Sequence, residues 1–321
     1  MKRIGCLIAV MVAVLMASAL VFAGGMFGSA SVDDEAAFII PSGSSVTSVA
    51  RKLEAEGHIT SADGFLLRAK LLGSGDPIQA GEFALTPQMD QGDILAAFQN
   101  GDVIRRFVTI PEGMPSVLVV DRLMAVELLT GDVELPEEGS ILPDTYDFER
   151  GESRQAVLDR MQGAMTAYLA EAWEKRSADT AVDSIEDAVI LAAIVEKETG
   201  LPEERRMVAG VMSNRLRIGM QLGADATTIY PITKGRPLGR EIRVSELRDP
   251  NPYNTRAIAG LPIGPITNPG REAIAAALDP AETDAFYYVA DGSGGHVFAR
   301  TLEEHNANVR KWREFRRENG I

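Results

Sequence analysis

Between Arg3 and Asp33 the chain carries no charged residue, and Ile4–Phe22 is an almost unbroken apolar run. About 20 such residues suffice to cross the hydrocarbon layer of a bilayer as a helix. Lys2 and Arg3 precede the run, so the excess of positive charge keeps the N-terminus in the cytoplasm and sends everything beyond about residue 30 outside. A cleaved signal peptide ending at Val21-Phe22-Ala23 is the competing reading. Its apolar region would ordinarily span about 7–15 residues, and the longer run here favours a retained anchor. The expectation is a single-pass protein with residues 1–30 as cytoplasmic stub and transmembrane helix, its body held outside the cytoplasmic (inner) membrane. The 321 residues leave room for two folded domains beyond that anchor.

The cysteine Cys6 is the only one in the chain and falls inside the apolar run. The exported part is then expected to have no disulfide framework, cysteine nucleophile or thiolate zinc cage. His58, His296 and His305 are far apart and form no ligand-like pair, so neither a metal nor a cofactor is expected. Beyond the anchor there are 30 basic and 46 acidic residues, a balance that argues against nucleic acid as a partner.

The fold class expected is α+β: the transmembrane helix, a small module over 36–108, and a larger mixed helical and β domain over 109–321. In the module, a strand at Ala37–Ile40 precedes a helical stripe from Val46 to Leu53. A helix over Ser61–Leu72, a strand at Glu82–Leu85, a helix over Gln91–Gln99 and a strand over Val103–Ile110 follow. That outline is similar to LysM-like modules. Val117–Leu129 and Arg154–Arg176 read as amphipathic helices. Asp225–Tyr230, Pro250–Thr255 and Gly260–Gly270 read as long Gly/Pro-rich connections, which in a compact domain are usually functional. Arg271–Leu278 reads as a helix, and Phe286–Ala290 with His296–Ala299 as a hairpin about Asp291–Gly295.

The segment Ile190–Thr199, ILAAIVEKET, is where chemistry is expected. Asp183 or Ser184 can cap a helix here, Gly200 suits a left-handed end, and Pro202 suits the first turn of a following helix. Ile190, Leu191, Ile194 and Val195 form one apolar face, and Glu198 continues it. Glu196 is displaced from Ile194 by roughly 200° and is expected to face water. A carboxyl at the end of an apolar face loses hydration, which raises its pKa and suits it to general acid work. A solvated helix end is the alternative that spacing leaves open.

IVEKET, SNRLRIGMQL, NPYNTR, GLPIGPITNPG and YVADGSGGHVF with EHN occur in this order from about 194 to 306, after a VTIPEGM stretch. Together they resemble the membrane-anchored endolytic murein transglycosylases of the YceG-like (MltG) family, over nearly the whole chain. The resemblance implies a lyase with Glu198 as the catalytic residue, the second Glu of the VEKE pair. It implies a substrate groove lined by Asp225, Tyr253 and Asn254. Where family members commonly carry Gln, a small hydroxyl residue, Asp and Pro, this chain has Gly223, Ala224, Asp225 and Ala226. The implied reaction cleaves the β-1,4 bond from N-acetylmuramic acid to N-acetylglucosamine in nascent peptidoglycan strands. It leaves 1,6-anhydro ends, with one Glu acting as acid and then base, and peptidoglycan synthases are candidate partners. Two other readings remain: a hydrolysing muramidase using Glu198 with Asp225, and a non-catalytic wall-binding scaffold.

Overall fold

The structure, a computed structural model, describes residues 29–32 and 34–320. The apolar run Ile4–Phe22 lies outside the described residues, and within them no helix is long and apolar enough to cross a membrane. The architecture is mixed α+β, in two compact units that divide between Arg106 and Phe107.

In the first unit β1 (Ala36–Ile40) pairs antiparallel with β2 (Gly81–Leu85), Phe38 opposite Phe83. Helices α1 (Val46–Ala55) and α2 (Ala62–Leu72) lie between the strands in sequence, and α3 (Gln91–Asn100) follows β2. The helix starts follow from local chemistry. Ser45 and Ser61 accept backbone N–H bonds as N-caps, and Asp90 forms a reciprocal capping box with Asp93. Four rings, Phe38, Phe65, Phe83 and Phe98, are fully buried. Phe98 stacks on Phe38 at 5.6 Å and meets Phe83 edge-on at 4.7 Å. The strand expected over Val103–Ile110 is in fact two separate features. Val103 makes only an isolated bridge to Phe83, whereas Arg106–Thr109 is β3 and pairs with β4 (Thr145–Phe148). The two apolar ends of the stretch serve different cores, Val103 that of the first unit and Val108 with Ile110 that of the second.

The second unit holds two apolar clusters. One gathers Val108, Ile110, Leu123, Ile141 and Met161 around β3, α4 (Ser116–Met124) and the start of α5 (Arg154–Glu174). The other is built around α6 (Ile185–Glu198), which packs mainly on α10 (Arg271–Leu278) and also on α5, α7 (Arg205–Arg217) and α8 (Asp225–Thr233). Every residue of α6 from Ala188 to Val195 is buried, so this helix is enclosed on all sides, not half-sunk in a surface. A one-turn helix α9 (Val244–Leu247), the antiparallel hairpin β5 (Tyr287–Ala290) and β6 (His296–Ala299), and a terminal helix α11 (Leu302–Asn319) complete the unit.

Three local expectations are corrected. The helix expected over Val117–Leu129 stops at Met124, where Ala125 closes it with backbone bonds. Asp225–Tyr230 is not a loop but most of α8. Gly200 does not take a left-handed conformation, because α6 already ends at Thr199 in extended geometry (φ −138°, ψ 134°). Pro202 opens a 3-10 turn as expected.

Candidate active site

Ser184 caps α6 by accepting the Asp187 N–H at 3.0 Å, which fixes where the helix starts and hence where Glu198 falls on its last turn. The Glu198 carboxyl is only partly exposed. Burial pushes its pKa above the ordinary carboxylate value. The Tyr288 hydroxyl works the other way, and Asp225 raises the pKa further, while His296 and Arg256 lower it. Tyr288 donates its hydroxyl to Glu198 Oε2 at 2.6 Å. Among the described residues Oε1 takes no hydrogen bond, so one oxygen is held and the other is open. Burial, with Glu198 adding to it, pushes the Tyr288 phenol well above its usual range, so the phenol remains a donor.

The tyrosine is placed by the β5–β6 hairpin, which is latched to the corner after α6. Glu204 in the 3-10 turn accepts the His296 N–H at 2.7 Å and meets His296 Nδ1 at 2.7 Å. The Thr199 hydroxyl also donates to Glu204, at 3.3 Å. Burial alone would raise the Glu204 pKa, but the bonds from His296 and Thr199 together leave it lowered. Gly295 lets the carboxyl approach closely, since a Cβ would stand 2.6 Å from Glu204 Oε1 and push it from His296. The His296 ring packs edge-on against Tyr288 at 5.3 Å. From the other side Arg215 lies 5.8 Å from the Tyr288 ring and donates to the Phe286 and Leu222 carbonyls, both at 2.6 Å.

Glu196 does not face water. Its side chain is 6 % exposed and lies 3.8 Å from Arg205, and its Oε2 accepts the Gly270 N–H at 2.9 Å. The helical wheel placed it correctly away from Ile194, but α6 is enclosed on that side by the Gly270 turn and α7. Burial raises its pKa too, with Glu112 adding to the effect and the Gly270 N–H and Arg205 opposing it. Arg205 also binds Glu112 at 3.1 Å and pairs with Glu272. A Cβ at Gly270 would meet the Glu112 carboxyl and displace it from its place beside Arg205. Both Glu196 oxygens are thus engaged in a structural network.

The three expected groove residues separate. Asp225, the first residue of α8, is exposed, pairs with Arg256, and is the one among them that acts electrostatically on Glu198. Tyr253 leans on Tyr230 at 5.0 Å, with Lys234 above both rings. Asn254 is 1 % exposed and its side chain is committed to α8, α9 and its own loop. Its Oδ1 accepts from the Thr228 hydroxyl and the Arg256 N–H. Its Nδ2 donates to the carbonyls of Glu246, Leu247 and Asp249. The structure therefore places Asn254 as a buried staple between the loop and helices α8 and α9 instead of on the loop's surface. A cavity of about 460 Å³ adjoins the corner, lined among others by Pro115, Leu118, Lys197, Ala226, Tyr230 and Pro237. Lys197 and Ala226 are the chain neighbours of Glu198 and Asp225. Among the described residues no group of three or more Asp, Glu, His or Cys is placed to hold a metal ion.

The profile of the YceG-like family matches residues 38–311. The chain belongs to the YceG-like family. It is similar to a protein of Bacillus subtilis (strain 168) named endolytic murein transglycosylase, 27% identical over 85% of this chain and 83% of that one. A protein of the same name from Streptococcus pneumoniae serotype 2 (strain D39) is also 27% identical. There the match takes in 94% of this chain but 64% of the longer relative. The crystal structure of a putative YceG-like protein from Listeria monocytogenes superposes with a TM-score of 0.52 at 27% identity. That match covers 85% of this chain and 99% of the other. In this YceG-like chain the residues that sequence reasoning missed are Tyr288, His296, Glu204, Arg215 and Arg256. YVADGSGGHVF and SNRLRIGMQL were visible as motifs, but nothing in their spacing says that the tyrosine of one meets a glutamate 90 residues earlier.

Proposed function

We propose that this protein is an endolytic lytic transglycosylase. It is an enzyme of murein, cutting the β-1,4 bond from N-acetylmuramic acid to N-acetylglucosamine in peptidoglycan strands. The observation that carries this reading is the state of Glu198: a carboxyl raised by burial, one oxygen fixed by Tyr288 and the other open. A raised pKa is how a Glu keeps its proton near neutral pH for transfer to a leaving group. Glu198 gives that proton to the glycosidic oxygen as the C1–O bond breaks, and the departing sugar leaves as an alcohol. The Glu198 carboxylate then takes the proton of the muramic C6 hydroxyl as its oxygen bonds to C1. The 1,6-anhydro end forms without water, and the carboxyl returns to its starting state.

Glycosidases that use water or a covalent intermediate need a second carboxylate. Asp225 is the nearest candidate named by its effect on Glu198, but its charge is taken up by Arg256. An intramolecular hydroxyl needs no such base beyond Glu198, because it is already held at high effective concentration. This favours the transglycosylase over the hydrolysing muramidase. The cavity beside Lys197 and Tyr230 is open to one arm of the glycan, and Tyr253 offers an aromatic wall next to it. In the same reading the first unit is a LysM-like glycan-binding module. The apolar run Ile4–Phe22 anchors the protein in the cytoplasmic membrane with its catalytic unit outside, where it acts on nascent strands beside peptidoglycan synthases.

Mass spectrometry of the products released from peptidoglycan is the test. Anhydro-muramic ends that disappear in Glu198→Gln are expected. Reducing ends would assign hydrolysis, and no turnover by the intact protein would leave a wall-binding scaffold.

A further inference from the structure

The last half of α11 does not follow the charge pattern of the rest of the protein. The chain has a formal net charge of −14, yet residues 310–318 carry Arg310, Lys311, Arg313, Arg316 and Arg317 against Glu314 and Glu318. All five basic side chains are exposed. Elsewhere in the second unit Arg205, Arg236, Arg256 and Arg271 each pair with an acidic residue. Among the described residues none of the five on α11 has an acidic partner. At 100° per residue, Arg310, Arg313, Arg316 and Arg317 fall within an arc of about 120°, and they line one open surface with only Glu314 among them. Trp312 and Phe315 lie on the opposite side, stacked at 5.7 Å, and Phe315 lies against Gly292 in the hairpin loop. The apolar side of the helix is thus used to hold it to the protein, and the arginine side is left without a partner.

We propose that this arginine face docks the second unit on an anionic phospholipid surface. Four guanidinium groups spread along about 10 Å of helix axis meet many separate phosphates, where a single small anion would need them to converge. Guanidinium forks suit phosphate oxygens in a bidentate manner. Between residues 310 and 317 the face presents no apolar side chain, so the contact there is with headgroups and not an insertion into the acyl region. The body of the protein is acidic and is repelled by such a surface, which leaves the basic face to set orientation. The apolar run at Ile4–Phe22, read as an anchor, keeps a bilayer within reach and converts docking into an intramolecular event.

The chain has two tryptophans, Trp173 and Trp312, so Trp173→Phe leaves a single reporter on α11. The full chain is reconstituted in lipid nanodiscs with a headgroup-labelled acceptor, and energy transfer from Trp312 is compared between phosphatidylcholine alone and phosphatidylcholine with phosphatidylglycerol. Each basic residue near an anionic surface strengthens association about fivefold. Transfer is expected to be higher in the anionic discs and to fall at least about twofold when salt is raised from roughly 0.1 to 1 M. It should fall similarly in a variant with Arg310, Arg313, Arg316 and Arg317 all changed to Gln. Circular dichroism checks that this variant folds, and the Arg310→Gln, Arg313→Gln pair gives a milder second variant. Equal transfer in the two kinds of disc, or full transfer in the folded variants, overturns the proposal. Equal transfer accompanied by binding of inorganic polyphosphate assigns the face to a soluble or wall polyanion and also overturns it.

Discussion

Glu196 and Glu198 are two carboxyls raised by the same cause, and only their partners distinguish them. Glu196 is spent on Gly270 and Arg205, whereas Glu198 keeps an open oxygen beside a tyrosine donor. Glu198→Gln preserves shape and removes the titrating proton, so release of anhydro products should fall about 10²–10⁴-fold with circular dichroism unchanged. Glu196→Gln removes a charge from a buried network. It should cost about 1–3 kcal/mol in denaturant titration while turnover per folded molecule persists. The opposite outcome, with Glu196→Gln inactive and stable, would move the acid to Glu196. The raised pKa of Glu198 also has a sign in stability. A carboxyl whose folded pKa lies above its unfolded value contributes stability that is complete below the unfolded value and lost as pH rises through the folded one. Glu198→Gln should therefore gain on the wild type in melting temperature as pH rises from about 4 to 8, and a constant difference would contradict this. Tyr288→Phe removes a contact that favours the Glu198 carboxylate. It should move the alkaline limb of the pH–rate profile upward while lowering kcat, and an unmoved limb would show that the tyrosine only fills space.

At the scale of elements, Asn254 ties the loop after α9 to the body through bonds to Thr228 and three backbone carbonyls. Asn254→Ala leaves those groups buried and unpaired and should destabilise the protein by about 2–3 kcal/mol, measured by chemical unfolding. A loss of glycan affinity at unchanged stability would return Asn254 to the groove. The same loop shows why some elements were legible in the sequence and others were not. The start of α6 and the hairpin at Asp291–Gly295 are specified by residues a few positions away: Ser184 bonding Asp187, and the Asp291 N–H bonding Gly295. Helix α8 has no comparable local signature, since Thr227 and Thr228 are β-branched and Pro231 lies within it. It is held by distant partners, Thr227 on Thr255 and Thr228 on Asn254. Periodicity likewise separated Glu196 from Glu198 by direction. It could not report that the far side of α6 is also covered, because enclosure depends on which elements pack there.

At the scale of the molecule, the first unit keeps its phenylalanine core to itself, and the second has two apolar clusters of its own. A protein beginning at Phe107 should unfold cooperatively and retain cleavage of short soluble glycans, while its retention on insoluble peptidoglycan falls. Undiminished retention in a pelleting assay would make the first unit a spacer. The latch from Glu204 to His296 bears on how such a chain comes into being. Glu198 acquires its tyrosine only after the hairpin 90 residues further on has folded back. Throughout synthesis, the emerging polypeptide carries a carboxyl whose hydrogen-bond partner has not yet arrived. A chain cut short before Tyr288 never receives it, so in incomplete copies the order in which the residues appear leaves Glu198 without the hydroxyl that fixes one of its oxygens.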